Sequence, residues 1–240
     1  MQSRRCVFAM AVLALAPAAP AQKAALTAEQ IIEKNIAAMG GREEMAKHQS
    51  TCIRGDLDIT AMGIKAPMEI YAKAPDKRLI VVRVEGYGEV RNGFDGQTAW
   101  VDDPGQGLRT VEGEGLDRVR RDAAYQPALR WRDVYKQVEL LPNAKVGYRD
   151  AYVLRFSPKW GQPIVTYYDA ENFLALRQDA DGDDGAVVQS YFSSYQDLGG
   201  LKFPSAIRQV TPGGEILAKV AEVKCAAPLD DAQFARPAKQ

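Results

Sequence analysis

The sequence predicts an all-β sandwich or barrel, and three observations carry the prediction. Between Ile53 and Val223 apolar residues recur with a period of two, the spacing of a pleated strand with one buried face. Clusters of Gly, Pro, Asn and Asp break these runs about every ten residues, the rhythm of strands joined by tight turns. One mid-chain stretch departs from that rhythm: Glu112 to Tyr135 turns helical and then gives way to strands again.

Taken in order, the first element is a helix. Thr27-Ala-Glu-Gln30 reads as a capping box, and Ile31, Ile32, Ile36, Ala37 and Met39 form one apolar stripe that ends at Gly40-Gly41. Such a helix lies on a sheet, and residues 41–47 add one or two further turns. The first strand sets Ile53, Leu57 and Ile59 against Arg54, Asp56 and Asp58, which is the pattern of an antiparallel sheet wet on one side. In the next, Ile64, Ala66, Met68, Ile70 and Ala72 alternate with Lys65, Glu69 and Lys73. Residues 79–84 are apolar at both phases, which predicts a strand covered on its outer side as well. Phe94-Asp-Gly-Gln97 predicts a hairpin with a primed turn, and Trp100 lies on the strand leaving it.

The interruption comes next, with Leu116, Val119 and Ala123 at helical spacing while Asp117, Arg118, Arg121 and Asp122 point elsewhere. Pro127 stops the helix, and Leu129, Trp131, Val134 and Tyr135 form a second apolar patch. The segment is either a lid over a cavity or a plug for an open sheet face. Strands resume over 137–141, and Tyr152, Leu154 and Phe156 then alternate with Val153 and Arg155. Runs at 164–169 and 174–179 flank the turn Asp169-Ala-Glu-Asn172, residues 187–195 form the next strand, and 207–210 and 216–223 close a hairpin across Pro212-Gly-Gly214.

The first 21 residues read as a cleaved secretory signal, with Arg4 and Arg5 ahead of the apolar run Cys6 to Leu15 and Ala19-Pro20-Ala21 as the cleavage site. Ser3-Arg-Arg5 leaves export by the general or the twin-arginine route open. No run of about 18 apolar residues follows, so residues 22–240 are read as a single periplasmic domain that does not span a membrane. Removing the signal takes two arginines from a balanced 31 basic and 31 acidic residues. Near-neutrality argues against nucleic acid as a partner. Cys52 and Cys225 then remain, either as a disulfide or as two separate thiols.

Catalytic signatures are sparse. His48 is the only histidine and has no acid or nucleophile placed beside it, and the chain carries no Gly-x-Ser-x-Gly, Cys-x-x-Cys, His-x-x-x-His or phosphate-binding glycine loop. The run Asp179-Ala-Asp-Gly-Asp-Asp184 offers hard oxygen ligands, but its glycine falls at the fourth position and Ser190 stands where a calcium loop needs glutamate, so a solvated hairpin tip is the expectation. Tyr167, Tyr168, Tyr191 and Tyr195 are read as half-buried packing residues in preference to sugar-stacking groups. These absences predict a non-catalytic container or binding module with no cofactor and no metal.

The order of helix, strands, mid-chain helices and strands, with Gly93-Phe-Asp-Gly-Gln-Thr-Ala-Trp100 on a hairpin before the helices, resembles the periplasmic outer-membrane lipoprotein carrier and sorting (LolA/LolB-like) family. Asp150-Ala-Tyr-Val-Leu-Arg155, Val165-Thr-Tyr-Tyr-Asp-Ala-Glu-Asn172, Tyr191-Phe-Ser-Ser-Tyr195 and Gly200-Leu-Lys-Phe-Pro204 extend the resemblance over residues 27–236. It implies an unclosed antiparallel half-barrel of about eleven strands, mainly β, with helices covering the concave face and acyl chains held beneath them. It also implies an arginine tying the sheet to the lid helices, for which Arg54 and Arg78 are the candidates.

Placed on that fold, Ile53, Leu57, Met68, Ile70, Val82, Trp100, Leu154 and Phe156 are the expected inner face, and Leu116, Val119 and Trp131 the expected lid contacts. Burying an acyl chain against them is worth about 0.8 kcal/mol per CH₂, enough for micromolar binding before ordering costs. The expected function is a periplasmic carrier for a lipid or lipoprotein acyl group, with envelope proteins as possible partners. The alternatives are an accessory protein of an envelope complex with a filled core and, third, a glycan hydrolase working through two carboxylates.

Overall fold

The computed structural model describes residues 26–182, 184–198, 200–226 and 228–238, except for the side chain of Cys225. The stretch read as a secretory signal, residues 1–21, lies outside the described residues. Among the described residues the chain forms one antiparallel sheet of thirteen strands, where the resemblance implied about eleven. The first six are β1 (Ser50–Ile59), β2 (Ile64–Lys73), β3 (Lys77–Val84), β4 (Gly88–Phe94), β5 (Ala99–Asp103) and β6 (Gly107–Val111). The other seven are β7 (Tyr135–Val146), β8 (Arg149–Pro158), β9 (Ile164–Asp169), β10 (Ala175–Asp181), β11 (Val187–Leu198), β12 (Leu201–Thr211) and β13 (Gly214–Cys225).

The spatial order is β6-β5-β4-β3-β2-β1-β13-β12-β11-β10-β9-β8-β7. The chain therefore starts in mid-sheet, meanders to one edge at β6, and resumes at the opposite edge with β7. A second meander brings it back until β13 pairs with β1. Because β6 and β7 do not pair, the sheet is an unclosed half-barrel. The residues between them must cross from one edge to the other, so the mid-chain helices α3 (Gly113–Asp122) and α4 (Trp131–Val134) lie over the concave side.

Helix α1 (Ala28–Ala38) opens on the expected capping box: Gln30 N–H donates to Thr27 Oγ1 at 3.2 Å and Thr27 N–H donates to Gln30 Oε1 at 2.9 Å. Its buried Ile31, Ile32 and Ile36 pack on Leu154, Phe156, Ile164, Tyr168 and Leu201, each isoleucine contributing about 2 kcal/mol by removal from water. A short helix α2 (Arg42–Lys47) follows and adds Met45 to the same cluster. The larger core thus sits between α1 and the inner face of β8, β9 and β12.

Register assigns the two faces of β1–β5. Ile53 pairs with Ile70, Leu57 with Ala66, Met68 with Val82 and Ile70 with Ile80, so these share the concave face. Tyr71 pairs with Leu79, Leu79 with Gly93, and Gly93 with Trp100, which puts Trp100 on the convex face instead of the inner face expected from sequence. There Leu79, Val81 and Trp100 form a second cluster capped by Phe234 from the C-terminal segment. Trp100 Nε1–H donates to the Phe234 carbonyl at 2.9 Å. That segment is what covers the outer side of β3.

One local expectation also differs, and the choice left open for the cysteines is narrowed. The β4–β5 connection is a four-residue loop in which the Asp95 carboxylate accepts from the Gln97 and Thr98 amides at 2.8 and 2.7 Å, so no two-residue primed turn forms. In the β1–β13 pair Cys225 faces Thr51 while Cys52 faces Lys224, and Cys52 is a buried free thiol.

Candidate functional site

Helix α3 is held at its two faces by different forces. Its apolar face, Leu116, Val119 and Ala123, packs on Phe94, Ala99 and Val111 of β4–β6. Its other face carries Arg118 and Arg121 to Asp181 at the far end of β10. Arg118 Nη1 donates to Asp181 Oδ2 at 3.1 Å and to the Gly182 carbonyl at 2.8 Å. Arg121, with a side chain only 2% exposed, donates to Asp181 Oδ1, to Asp122 Oδ1 at 2.7 Å and to the Gln162 carbonyl at 3.2 Å.

Burial works to raise the Asp181 carboxyl, and the hydrogen bonds and charges of Arg121 and Arg118 more than offset it, leaving it below the ordinary carboxylate value. Burial likewise opposes charge on Arg121, and Asp122 and Asp181 reverse that. From the sheet, Arg78 Nη1 donates to the Asp122 carbonyl at 3.2 Å, so of the two candidates Arg78 ties the sheet to the helix. Arg54 lies on the convex face between Glu69 and Glu222. The acidic run is a solvated tip only at its end: Asp184 is exposed and accepts from the Ala186 amide at 2.9 Å, whereas Asp181 is in the clasp and Asp179 pairs with Arg177, and Asp183 lies outside the described residues.

Beneath the clasp the concave face is not filled. A cavity of about 820 Å³ lies between Arg78, Arg118 and Arg121 on one side and Ile164, Phe192 and Ile207 of the sheet on the other. A second, of about 320 Å³, runs under α1 between Met45, Phe156, Tyr168 and Phe203. Pro127, Tyr135, Ile164, Gln178 and Phe192 line both, so the two adjoin. A third space of about 190 Å³ lies under α3 beside Ile80 and Val119. Burial pushes the Tyr135 hydroxyl up to about 12 and raises those of Tyr168 and Tyr195, so these three hydroxyls stay uncharged at neutral pH.

The residues singled out from sequence fall in several places. Phe156 lines the cavity under α1. Ile53, Leu57, Met68, Ile70 and Val82 are on the concave face of the other half of the sheet, with Ile53, Leu57, Ile70 and Val82 half-buried. Leu154 is fully buried in the α1 cluster, and Trp131 packs at its margin. Leu116 and Val119 meet the sheet at Phe94 and Ala99. The residues that reasoning from sequence missed, Ile164, Gln178, Phe192 and Ile207, belong to β9–β12, where β9 and β11 carry Tyr167 and Tyr191 on their outward faces. Tyr167 and Tyr191 there sandwich the Arg177 guanidinium, at 4.5 and 5.7 Å from its Cζ.

No family model matches the chain, and neither does any curated protein. Solved structures do. A DUF1329 family protein from Desulfovibrio piger superposes with a TM-score of 0.62 at 18% identity, over 85% of this chain and 95% of its own. A LolA superfamily protein from Nitrosomonas europaea gives 0.60 at 16% identity, over 88% and 98%. The chain has a LolA-like fold. A protein described as an outer-membrane lipoprotein-sorting domain, from Vibrio parahaemolyticus, shares this LolA-like arrangement at a TM-score of 0.58 and 12% identity, over 86% and 95%.

Proposed function

We propose that this chain is a non-catalytic periplasmic carrier that shelters the acyl portion of a lipid or lipoprotein inside the half-barrel. The observation that carries the reading is the pair of adjoining cavities of about 820 and 320 Å³ between the α3 clasp and the sheet, the smaller walled mainly by apolar and aromatic side chains and the larger opening from it between Ile164, Phe192, Ile207 and Ile216 of the sheet and the polar groups of the clasp. A closed core of this size is packed to crystal density, and space of this kind in a folded protein is where ligands reside. The LolA-like fold supports the assignment, since two proteins of that shape carry names tied to lipoprotein sorting or to LolA itself. Entry proceeds by release of the Arg118/Arg121 clasp, which moves the 113–134 segment off the mouth.

Native mass spectrometry of the protein purified from its own cell envelope tests the reading. Co-purifying lipid is the expected result. A ligand-free protein that also fails to bind any fatty-acyl probe overturns it.

A further inference from the structure

The floor of the cavity is not uniformly apolar. Cross-strand register lines up Thr166, Gln178, Ser190 and Gln209 in one row over β9, β10, β11 and β12: Gln178 faces Thr166 on one side and Ser190 on the other, and Ser190 faces Gln209. The row spans about 14 Å, three strand spacings. It ends on apolar neighbours, because Thr166 faces Leu154 and Gln209 faces Ile216. The next row on one side contains Ile164, Ala180 and Val188, and on the other Tyr168, Phe192 and Ile207. A polar band therefore crosses a mainly apolar floor, where the Thr211 hydroxyl at the edge is bonded to the Gly214 carbonyl, and Gln178 sits where the two cavities adjoin.

Within the band Gln178 Nε2 donates to Thr166 Oγ1 at 3.3 Å and Gln209 Nε2 donates to Ser190 Oγ at 3.2 Å. Each amide keeps a carbonyl oxygen and a second N–H beyond these bonds, and the Ser190 hydroxyl keeps its proton to donate. The band holds both donors and acceptors but no charge. The arginines on the opposite wall are engaged there, Arg118 and Arg121 with Asp181 and Asp122 and Arg78 with the Asp122 carbonyl. An ionised head placed on the band would sit desolvated with no opposite charge among the groups of the band, whereas a neutral ester or hydroxyl would satisfy the spare amide and hydroxyl groups.

Resting on the carrier reading, we infer that the Thr166–Gln178–Ser190–Gln209 band is a subsite for the neutral glyceryl-ester portion of an acyl lipid, with hydrocarbon running into the apolar space on either side. The ligand is oriented by the band, and fatty-acid anions are discriminated against.

The test titrates the full chain with three probes by fluorescence and its displacement: N-phenyl-1-naphthylamine, which is apolar, 1-monolauroylglycerol, and laurate at pH 8. Monolauroylglycerol is expected to bind about tenfold or more tighter than laurate. In Gln178→Leu/Gln209→Leu the ratio of its affinity to that of the naphthylamine probe falls about tenfold, and in Ser190→Ala it falls by less. Circular dichroism and the thermal midpoint establish that each variant is folded, and Ser190→Ala carries the test alone if the double variant is not. A dipalmitoyl-S-glycerylcysteine peptide presents the same esters on a protein anchor, and tighter binding of the peptide or of the free glyceride identifies the source. Equal affinity for laurate and monolauroylglycerol, or an unchanged ratio in the folded variants, overturns the inference while leaving the carrier reading intact. Failure of every probe to bind overturns the carrier reading itself.

Discussion

Replacing Asp181 by asparagine removes the charge that holds α3 to β10 while leaving its shape. Arg121 then keeps Asp122 and the Gln162 carbonyl, and Arg118 keeps the Gly182 carbonyl. Removing one partner from a buried pair costs about 3–5 kcal/mol. The surviving partners reduce that here to about 2 kcal/mol, which corresponds to about a thirtyfold rise in the population with the clasp open. Amide exchange followed by mass spectrometry reads this directly: peptides covering 113–134 should exchange about thirtyfold faster in the variant, with β8 unchanged. Equal acceleration in β8 would mean that the clasp stabilises the whole fold and gates nothing, and no acceleration anywhere would mean that it contributes nothing. The same assay carries a pH prediction. The Asp181 carboxyl titrates below its ordinary value in the folded chain, so its contribution is fully present above about pH 4 and is lost as pH falls through the lowered folded value. Exchange of 113–134 in the unsubstituted chain, corrected for intrinsic rate, should be flat from about pH 5 to 8 and rise below about pH 4.

Two further predictions concern the convex side. A Cβ on Gly93 would lie 2.2 Å from the indole carbons Cε2 and Cζ2 of Trp100, so Gly93→Ala must displace a fully buried ring. We expect a loss of about 1–3 kcal/mol by urea denaturation, and an unchanged midpoint would refute the packing argument. Phe234 is completely buried against Leu79, Val81 and Trp100. Phe234→Ala should cost about 3–5 kcal/mol and red-shift tryptophan emission, and a blue-shifted or unchanged spectrum would show that Trp100 does not depend on that cap.

Local signals are legible in the sequence and long-range ones are not. The capping box at Thr27, the isoleucine stripe of α1 and the two-sided apolar strand at Leu79–Val84 each lie within a few residues, where periodicity and side-chain chemistry decide the outcome. Sequence alternation puts Trp100 on the wrong face because it fixes only which residues of one strand share a side, and the register across the β4–β5 loop fixes which side that is. The clasp joins residues about 60 positions apart, Arg121 to Asp181, and no local pattern announces it. In β10–β12 alternation alone does not assign the faces, because both are mixed: the concave face carries Gln178, Ser190 and Gln209 beside Ala180, Phe192 and Ile207, while the convex face carries Arg177, Asp179, Tyr191 and Arg208.

The choice between lid and plug for the mid-chain segment dissolves once its two attachments are compared. Over β4–β6 the helix is a plug: Leu116, Val119 and Ala123 meet Phe94 and Ala99, leaving about 190 Å³ of space beneath. Over β9–β12 nothing apolar from α3 reaches the floor, and the cavity of about 820 Å³ remains. Pulling packed apolar side chains apart into water costs free energy that no new partner offsets, whereas an arginine–carboxylate pair opened to water exchanges one set of hydrogen bonds for another. The easier movement is therefore a hinge that keeps the apolar end docked and releases the arginine end. That order of events requires the segment to pivot toward β6, uncovering Gln178 and Ile207 while Phe94 stays buried. Exchange in the 94–99 loop should accordingly remain slow in Asp181→Asn, and loss of protection there would show that the segment leaves as one piece.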